Sequence, residues 1–423
     1  MTLPRHRLIA AAAAGLLAAT LAGCADSESA DPVIETVDRS PVNAIVIPPD
    51  EPIIVGVSSA LTGPVGERGS EYRDAAVLGV RRYEDRNGEG IEGHAIEVHA
   101  EDDGCTVADQ TAVAAERLLG RPTLVGVLGP QCSTGAQAVL DAYDDAGVVA
   151  ISGSATATAL TAERPEDSFF FRTAFRNDLQ GAVVGDFVAD QLMADTVVLV
   201  DNGESYGTDI AASTARFLES NDVDVERVTV PQGTVDFGEV ADGIVAAGPD
   251  AVGYAGFNSD AALLLRQLRD AGFQGAYGAF DAAASAREFV APLGEDAEGA
   301  LFAGCSLPLP DDVRSAFADV HGSPPAAAFN GQYIDATEAL LGAVAETATP
   351  QPDGSLTIDP DELRDAVAAT DIADGLTGRI RFDDRGDRRT TGDDAAAIAE
   401  QVGLIGCEVT NGEFVPIEDE ETP

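Results

Sequence analysis

An α/β fold of two doubly wound lobes, with parallel sheets joined by hinge strands, is predicted by three features of the sequence. From Ile53 onward, short β-branched runs alternate with helical stretches, the pattern of parallel strands linked by crossover helices. Most of the runs are apolar at nearly every position, as central strands covered by helices on both faces must be. The series also breaks near FFFRTAF (169–175) and restarts at Thr196, which divides the strands between two sheets.

Taken in chain order, the strand IIVGVSS (53–59) leads into a helix at 69–86, and AIEVHA (95–100) into one at 107–119. TLVGVLG (123–129) precedes a helix at 134–146, and VVAISG (148–153) completes the first series. A helix at 178–193 opens the second series, followed by strands TVVLVD (196–201), VERVTV (225–230) and AVGYAGF (251–257), a helix at 258–271 and another at 326–346. After Leu301 the pattern is less regular. The expected divisions are a signal segment at 1–23, an acidic tether at 24–51, a first lobe from 52–174 with 304–395, and a second from 175–303 with 396–420.

Composition narrows the function. The 423 residues carry 73 acidic and 25 basic side chains, and all 25 basic residues are arginine. Every mechanism that needs a lysine is therefore excluded, and a formal charge of −48 argues against nucleic acid as a partner. The acid excess and absent lysine resemble a protein of a salt-rich habitat.

Arg5, His6 and Arg7 precede an apolar run from Leu8 to Leu21, a secretion signal shorter than the roughly 20 residues of a bilayer span. It ends Leu21-Ala22-Gly23-Cys24, which resembles a bacterial lipobox. Cleavage before Cys24 would remove Arg5 and Arg7, shift the formal charge from −48 to −50, and leave a diacylglyceryl anchor on the Cys24 sulfur. The Pro-, Ser- and acid-rich stretch that follows suits an extended tether. The expected location is outside the cytoplasm, on the outer face of the cell membrane. Four cysteines remain, Cys105, Cys132, Cys305 and Cys407, an even set that favours disulfides in an exported chain. Cys105 and Cys132 are close enough in sequence to pair around one strand-helix-strand unit, leaving Cys305 with Cys407. No spacing of cysteine or histidine suggests zinc, and neither a metal nor a cofactor is expected.

Several motifs fail on context. Gly88-Glu89-Gly90-Ile91-Glu92-Gly93 matches G-x-G-x-x-G but follows a helix and leads into a strand, the reverse of a dinucleotide site, and is read as a turn. Asp85, Asn87 and Glu89 faintly suggest a calcium loop, but Ile96 stands where its last acid is needed. Asp102-Asp103, Asp383-Asp384 and Asp393-Asp394 imitate a glycosidase pair and are read as solvated surface. No nucleophile with a base in reach is found, so no enzyme is expected.

Two motifs fit. TLVGVLG runs into Pro130-Gln131-Cys132-Ser133-Thr134-Gly135 and then a helix, so Ser133 or Thr134 is expected to cap a helix whose free N–H groups attract an anion. VVAISG is followed by Ser154-Ala155-Thr156, which puts hydroxyls at the carboxyl end of a neighbouring strand. Together these loops form a carboxylate-sized pocket at a switch point of the sheet.

The runs VSSALTGPVGERG (57–69), EDDGCTVADQ (101–110), LGPQCSTGAQ (128–137), ISGSATATALTAERP (151–165) and DNGESYGTDIA (201–211) resemble the branched-chain amino-acid-binding family of type I periplasmic binding proteins, the receptors of ABC importers. The likeness spans roughly 52–410. It implies two lobes closing over a small ligand and a disulfide between Cys105 and Cys132. By position, Ser133, the Ser154 backbone and the Thr156 hydroxyl would receive an α-carboxylate, while Tyr206 closes on the ligand and Asp281 pairs with its α-ammonium. Two positions depart from the family. Phe257 replaces a tyrosine, and Arg68 stands where an aromatic lines the side-chain pocket. Arg68 there suits a polar or anionic tail, or else it pairs with Glu67 or Glu71 outside the pocket. The expectation is a monomeric receptor that captures an amino acid or related amide or carboxylate and hands it to permease subunits. The alternative is a subunit of the same fold that senses its ligand and signals to a membrane receptor.

Overall fold

The computed structural model describes residues 44–186, 192–305, 309–392 and 395–417. The expected signal segment, Cys24, the tether up to residue 43 and the Asp393-Asp394 pair lie outside the described residues. Those that are described belong to one unit, Glu35–Pro423.

The first sheet has five strands in the order Ile96–Asp102, Ile53–Ser59, Leu124–Leu128, Val149–Ser152 and Phe170–Arg172, all parallel. Alternate side chains of Ile53–Ser59 point to opposite faces. Ile53, Val55 and Val57 meet one helical layer, which includes Tyr72 and Leu78 of the helix Gly66–Asn87 and Ile334 and Leu340 of the helix Asn330–Thr347. Ile54 joins the other layer with Leu118 of Ala108–Leu119 and Val139 of Ser133–Ala146. Gly88, Gly90 and Gly93 all have positive φ, so the glycine-rich run is a turn.

The second sheet orders seven strands as Glu413–Pro416, Ile405–Thr410, Leu301–Cys305, Ala276–Phe280, Ala251–Ala255, Thr196–Asp201 and Asp224–Thr229. Its core is parallel, but Ile405–Thr410 and Glu413–Pro416 form an antiparallel edge. Strand periodicity misses these two, as well as Ala276–Phe280 and Leu301–Cys305, because AYGAF and LFAGC are five-residue runs interrupted by glycine. Cys305 is bonded to Cys407 across neighbouring strands, and Cys105 to Cys132. Their Cα separations of 6.3 and 5.0 Å fall in the ordinary disulfide range.

Three expectations need correction. The stretch read as tether does not stay free of the folded body to residue 51, because Ile45–Ile47 pairs antiparallel with Leu356–Ile358. Ile45 and Ile47 are buried there while Val46 is exposed, an alternation whose burial outweighs the entropy of an extended chain. Neither Ser133 nor Thr134 caps the helix Ser133–Ala146. Cys132 is its N-cap and makes no side-chain cap bond, because neighbouring loops recruit both hydroxyls. Asp102-Asp103 is not solvated surface either, since Asp103 is fully buried and holds three chain segments, as described below.

Gly69 shows how tightly the first helix docks. A Cβ at this position would fall 1.8 Å from the Ala60 carbonyl oxygen and 2.7 Å from Gln131 Oε1. Gly69→Ala is expected to lower unfolding free energy by about 1–3 kcal/mol, the usual cost of overpacking, read as a lower urea midpoint at unchanged m value.

Candidate functional site

The first wall of the site grows from the carboxyl ends of Leu124–Leu128 and Val149–Ser152. Ser133 Oγ is buried and accepts the Ala157 N–H at 3.1 Å, tying the helix start to the next loop. Thr134 Oγ1 donates to Glu204 Oε2 at 2.9 Å. Ser154 Oγ donates to the Gln131 carbonyl at 2.7 Å, and the Ser154 N–H reaches Ser152 Oγ at 3.3 Å. Thr156 is fully buried, and its hydroxyl has no hydrogen-bond partner. An orphaned buried hydroxyl costs about 1–3 kcal/mol, and this one lies beside a helix N-terminus.

The loop is held by a buried acid. The Asp103 carboxylate accepts from Cys105 N–H at 2.9 Å, Gln131 N–H at 3.2 Å and the Ser58 hydroxyl at 3.2 Å, and the Cys105–Cys132 bridge ties the same two loops. Burial pushes the Asp103 carboxyl up to about 6, with those hydrogen bonds opposing the rise. A second buried group steadies residues 155–157. Arg172, with no exposed surface, donates from Nη1 to the Ala155 and Ala157 carbonyls at 3.2 and 2.8 Å, and from Nε to Asp387 Oδ1 at 2.5 Å. Thr161 Oγ1 accepts from Arg172 Nη2 and donates to Asp387 Oδ2.

The second wall carries the acid. Asp281 follows the strand Ala276–Phe280 and is 2% exposed. Tyr206 Oη donates to its Oδ1 at 2.9 Å, and the Tyr206 ring stacks on Phe257 with centroids 6.0 Å apart. Burial raises the Asp281 carboxyl to about 6, opposed by hydrogen bonds from Gln180 and Tyr206 and by the charge of Arg68. The same burial, with Asp281 beside it, keeps the Tyr206 phenol well above its ordinary range.

Arg68, Tyr72, Gln131, Cys132, Ser133 and Ser154 from one wall face Tyr206, Phe257, Asp281 and Ala282 from the other around a single cavity, with Phe329 completing the lining. The cavity has a volume of about 30 Å³, room for bound water. Contacts at the rim join the walls: Thr158 N–H to Asp209 Oδ2 at 2.8 Å, Thr134 to Glu204, and Arg287 to Glu67. Of the expected contacts, Ser133, Ser154, Tyr206, Asp281, Phe257 and Arg68 line the cavity, while Thr156 lies behind the lining. Sequence reasoning missed Tyr72, Gln131 and Phe329. Tyr72 could have been found, because it is one helical turn beyond Arg68 and shares its face. Its hydroxyl is also buried without a hydrogen-bond partner.

Two walls, one with hydroxyls at a helix start and one with a buried acid, suit capture of a small molecule that bears both charges. The model of the family described as periplasmic binding protein matches residues 52–402. The chain is a periplasmic binding protein. This is a solute-binding family and not an enzyme family, and its members work outside the cytoplasm. Among the described residues no helix is long and apolar enough to cross a membrane. A leucine-, isoleucine-, valine-, threonine- and alanine-binding protein of Pseudomonas aeruginosa is 26% identical over 342 residues, spanning 79% of this chain and 87% of that protein. A Leu/Ile/Val-binding protein of Escherichia coli is 25% identical over 350 residues, spanning 80% and 88%. The crystal structure of a leucine binding protein from Thermotoga maritima shares the fold with a TM-score of 0.72 at 22% identity, covering 86% of this periplasmic binding protein and 98% of that chain.

Proposed function

We propose that this periplasmic binding protein is the extracytoplasmic receptor of an ABC importer, capturing an amino acid or a related small amide or carboxylate and delivering it to membrane permease subunits. The observation that carries the reading is that Ser133, at the start of its helix, and Ser154 face the buried Asp281 across the cavity, with the orphaned Thr156 hydroxyl directly behind that wall. The ligand's α-carboxylate would rest on Ser133, Thr156 and the free amides of that helix, where partial positive charge favours an anion. Its α-ammonium would meet Asp281, held in place by Tyr206. The similarity to leucine-, isoleucine- and valine-binding proteins supports an amino-acid ligand.

The lobes 52–174 with 304–395 and 175–303 with 396–420 are the bodies that would close on the ligand by hinge motion. Lipid on Cys24 and the tether after it would keep this monomeric receptor within reach of its permease, since two or three acyl chains anchor stably. Titration calorimetry of Ser133→Ala and Thr156→Val tests the carboxylate assignment. Losing a hydrogen bond to a charged group costs about 1.5–3 kcal/mol, so each variant is expected to weaken binding by at least tenfold. Unchanged affinity in both would overturn the assignment.

A further inference from the structure

Resting on the amino-acid reading above, we infer that Arg68 selects a ligand whose side chain ends in a carboxylate, so that the receptor prefers an amino dicarboxylic acid to an aliphatic amino acid. Arg68 lies in the first turn of the helix Gly66–Asn87 and lines the cavity. The two acids beside it in sequence are engaged elsewhere. Glu67 pairs with Arg287, and Glu71 Oε2 accepts from Ala326 N–H, Ala327 N–H and Asn330 Nδ2. Arg68 instead reaches across the cavity, where Nη2 donates to Asn258 Oδ1 at 2.8 Å and to the Ala282 carbonyl at 2.9 Å.

Both acceptors are neutral. No carboxylate among the described residues forms an ion pair with Arg68, and neither Nε nor Nη1 has a hydrogen bond to any of them. A guanidinium facing a cleft without a directly bonded carboxylate is costly to desolvate when the cleft closes. In a chain with 73 acidic residues, the missing partner is notable. Asp281 is near enough for the charge of Arg68 to act on it, but its carboxylate is bonded by Tyr206 and no ion pair or hydrogen bond joins it to Arg68. The two acceptors take both Nη2 protons, which leaves the Nε and Nη1 N–H groups as separate donors, each able to make one charge-assisted bond to a carboxylate oxygen. An aliphatic tail in the same place would bury those donors unpaired. The orphaned Tyr72 hydroxyl, one turn along the same helix, supplies a second donor on that side of the cavity.

Titration calorimetry of the purified full chain with L-glutamate, L-aspartate, L-glutamine and L-leucine, at one salt concentration and pH 7.5, tests the inference. A dicarboxylic amino acid is expected to bind at least tenfold more tightly than leucine or glutamine. Arg68→Gln should erase that preference, weakening the dicarboxylic acids at least tenfold relative to leucine, with a cooperative thermal transition showing that the variant is folded. A uniform loss for all four ligands would mean that Arg68 acts only through the charge of Asp281, and would overturn the inference. So would wild-type protein that binds leucine or glutamine as tightly as the dicarboxylic acids, although the amino-acid reading would then stand. Failure to bind any amino acid would overturn that reading, and the inference with it.

Discussion

Asp281→Ala is expected to weaken amino-acid binding by about 2–5 kcal/mol, the cost of truncating one partner of a buried charge pair, and titration calorimetry would read this as a loss of at least thirtyfold. The effect is large because Asp281 sits at 2% exposure with Tyr206 donating to it, so no water can take its place beside an ammonium. The pH dependence follows from the same burial. With the carboxyl raised to about 6, the anion that attracts the ammonium is present at pH 7.5 and is lost as pH falls through 6. Affinity should therefore drop between pH 7 and 5 in the wild type and stay flat in Asp281→Asn.

The stability of the ligand-free protein should run the other way. Asp103, Asp281 and Asp335 are all raised from 3.8 to about 6 by burial, so over that window the folded state binds protons that the unfolded state has already released. Stability then falls as pH rises from about 4 to 6. At pH 7.5 Asp281→Asn should melt above the wild type, and at pH 5 that advantage should shrink. A binding acid that weakens the empty receptor is a common compromise between site and scaffold.

The second large effect is expected at Asp387. Removing it by Asp387→Ala leaves Arg172 buried and without its carboxylate, which typically costs 3–5 kcal/mol, on the order of a third of a domain's stability. Urea unfolding should show the lower midpoint. Because Arg172 also holds the Ala155 and Ala157 carbonyls, ligand affinity should fall in the folded fraction too. A variant as stable as the wild type would show that the buried pair contributes nothing.

Much of this was legible in the sequence because the decisive features are local. IIVGVSS, LVGVL and VAIS are short, apolar runs, and each is followed directly by the loop it positions, so Ser133 and Ser154 could be placed at neighbouring strand ends from order alone. Tyr206 and Asp281 came from resemblance, since an acid among 73 has no pattern of its own. What stayed hidden depends on long-range contact. The fate of Arg68 could not be read from neighbours such as Glu67 and Glu71, because their partners, Arg287 and residues 326–330, lie more than 200 positions away. Asp103 looked like surface in an acidic chain, yet three donors from separate segments justify its burial. The pairing of Ile45–Ile47 was missed for a similar reason, because its partner strand Leu356–Ile358 is only three residues long.

The central claim is that two facing walls bind the two charges of an amino acid, and calorimetric titration of the wild-type chain with the twenty amino acids, a few amides and urea, in high salt, tests it most directly. Submicromolar binding of at least one amino acid, abolished by Asp281→Ala and weakened by Ser133→Ala, is the predicted result. Absence of binding by every amino acid, or binding that survives both substitutions intact, would contradict the account.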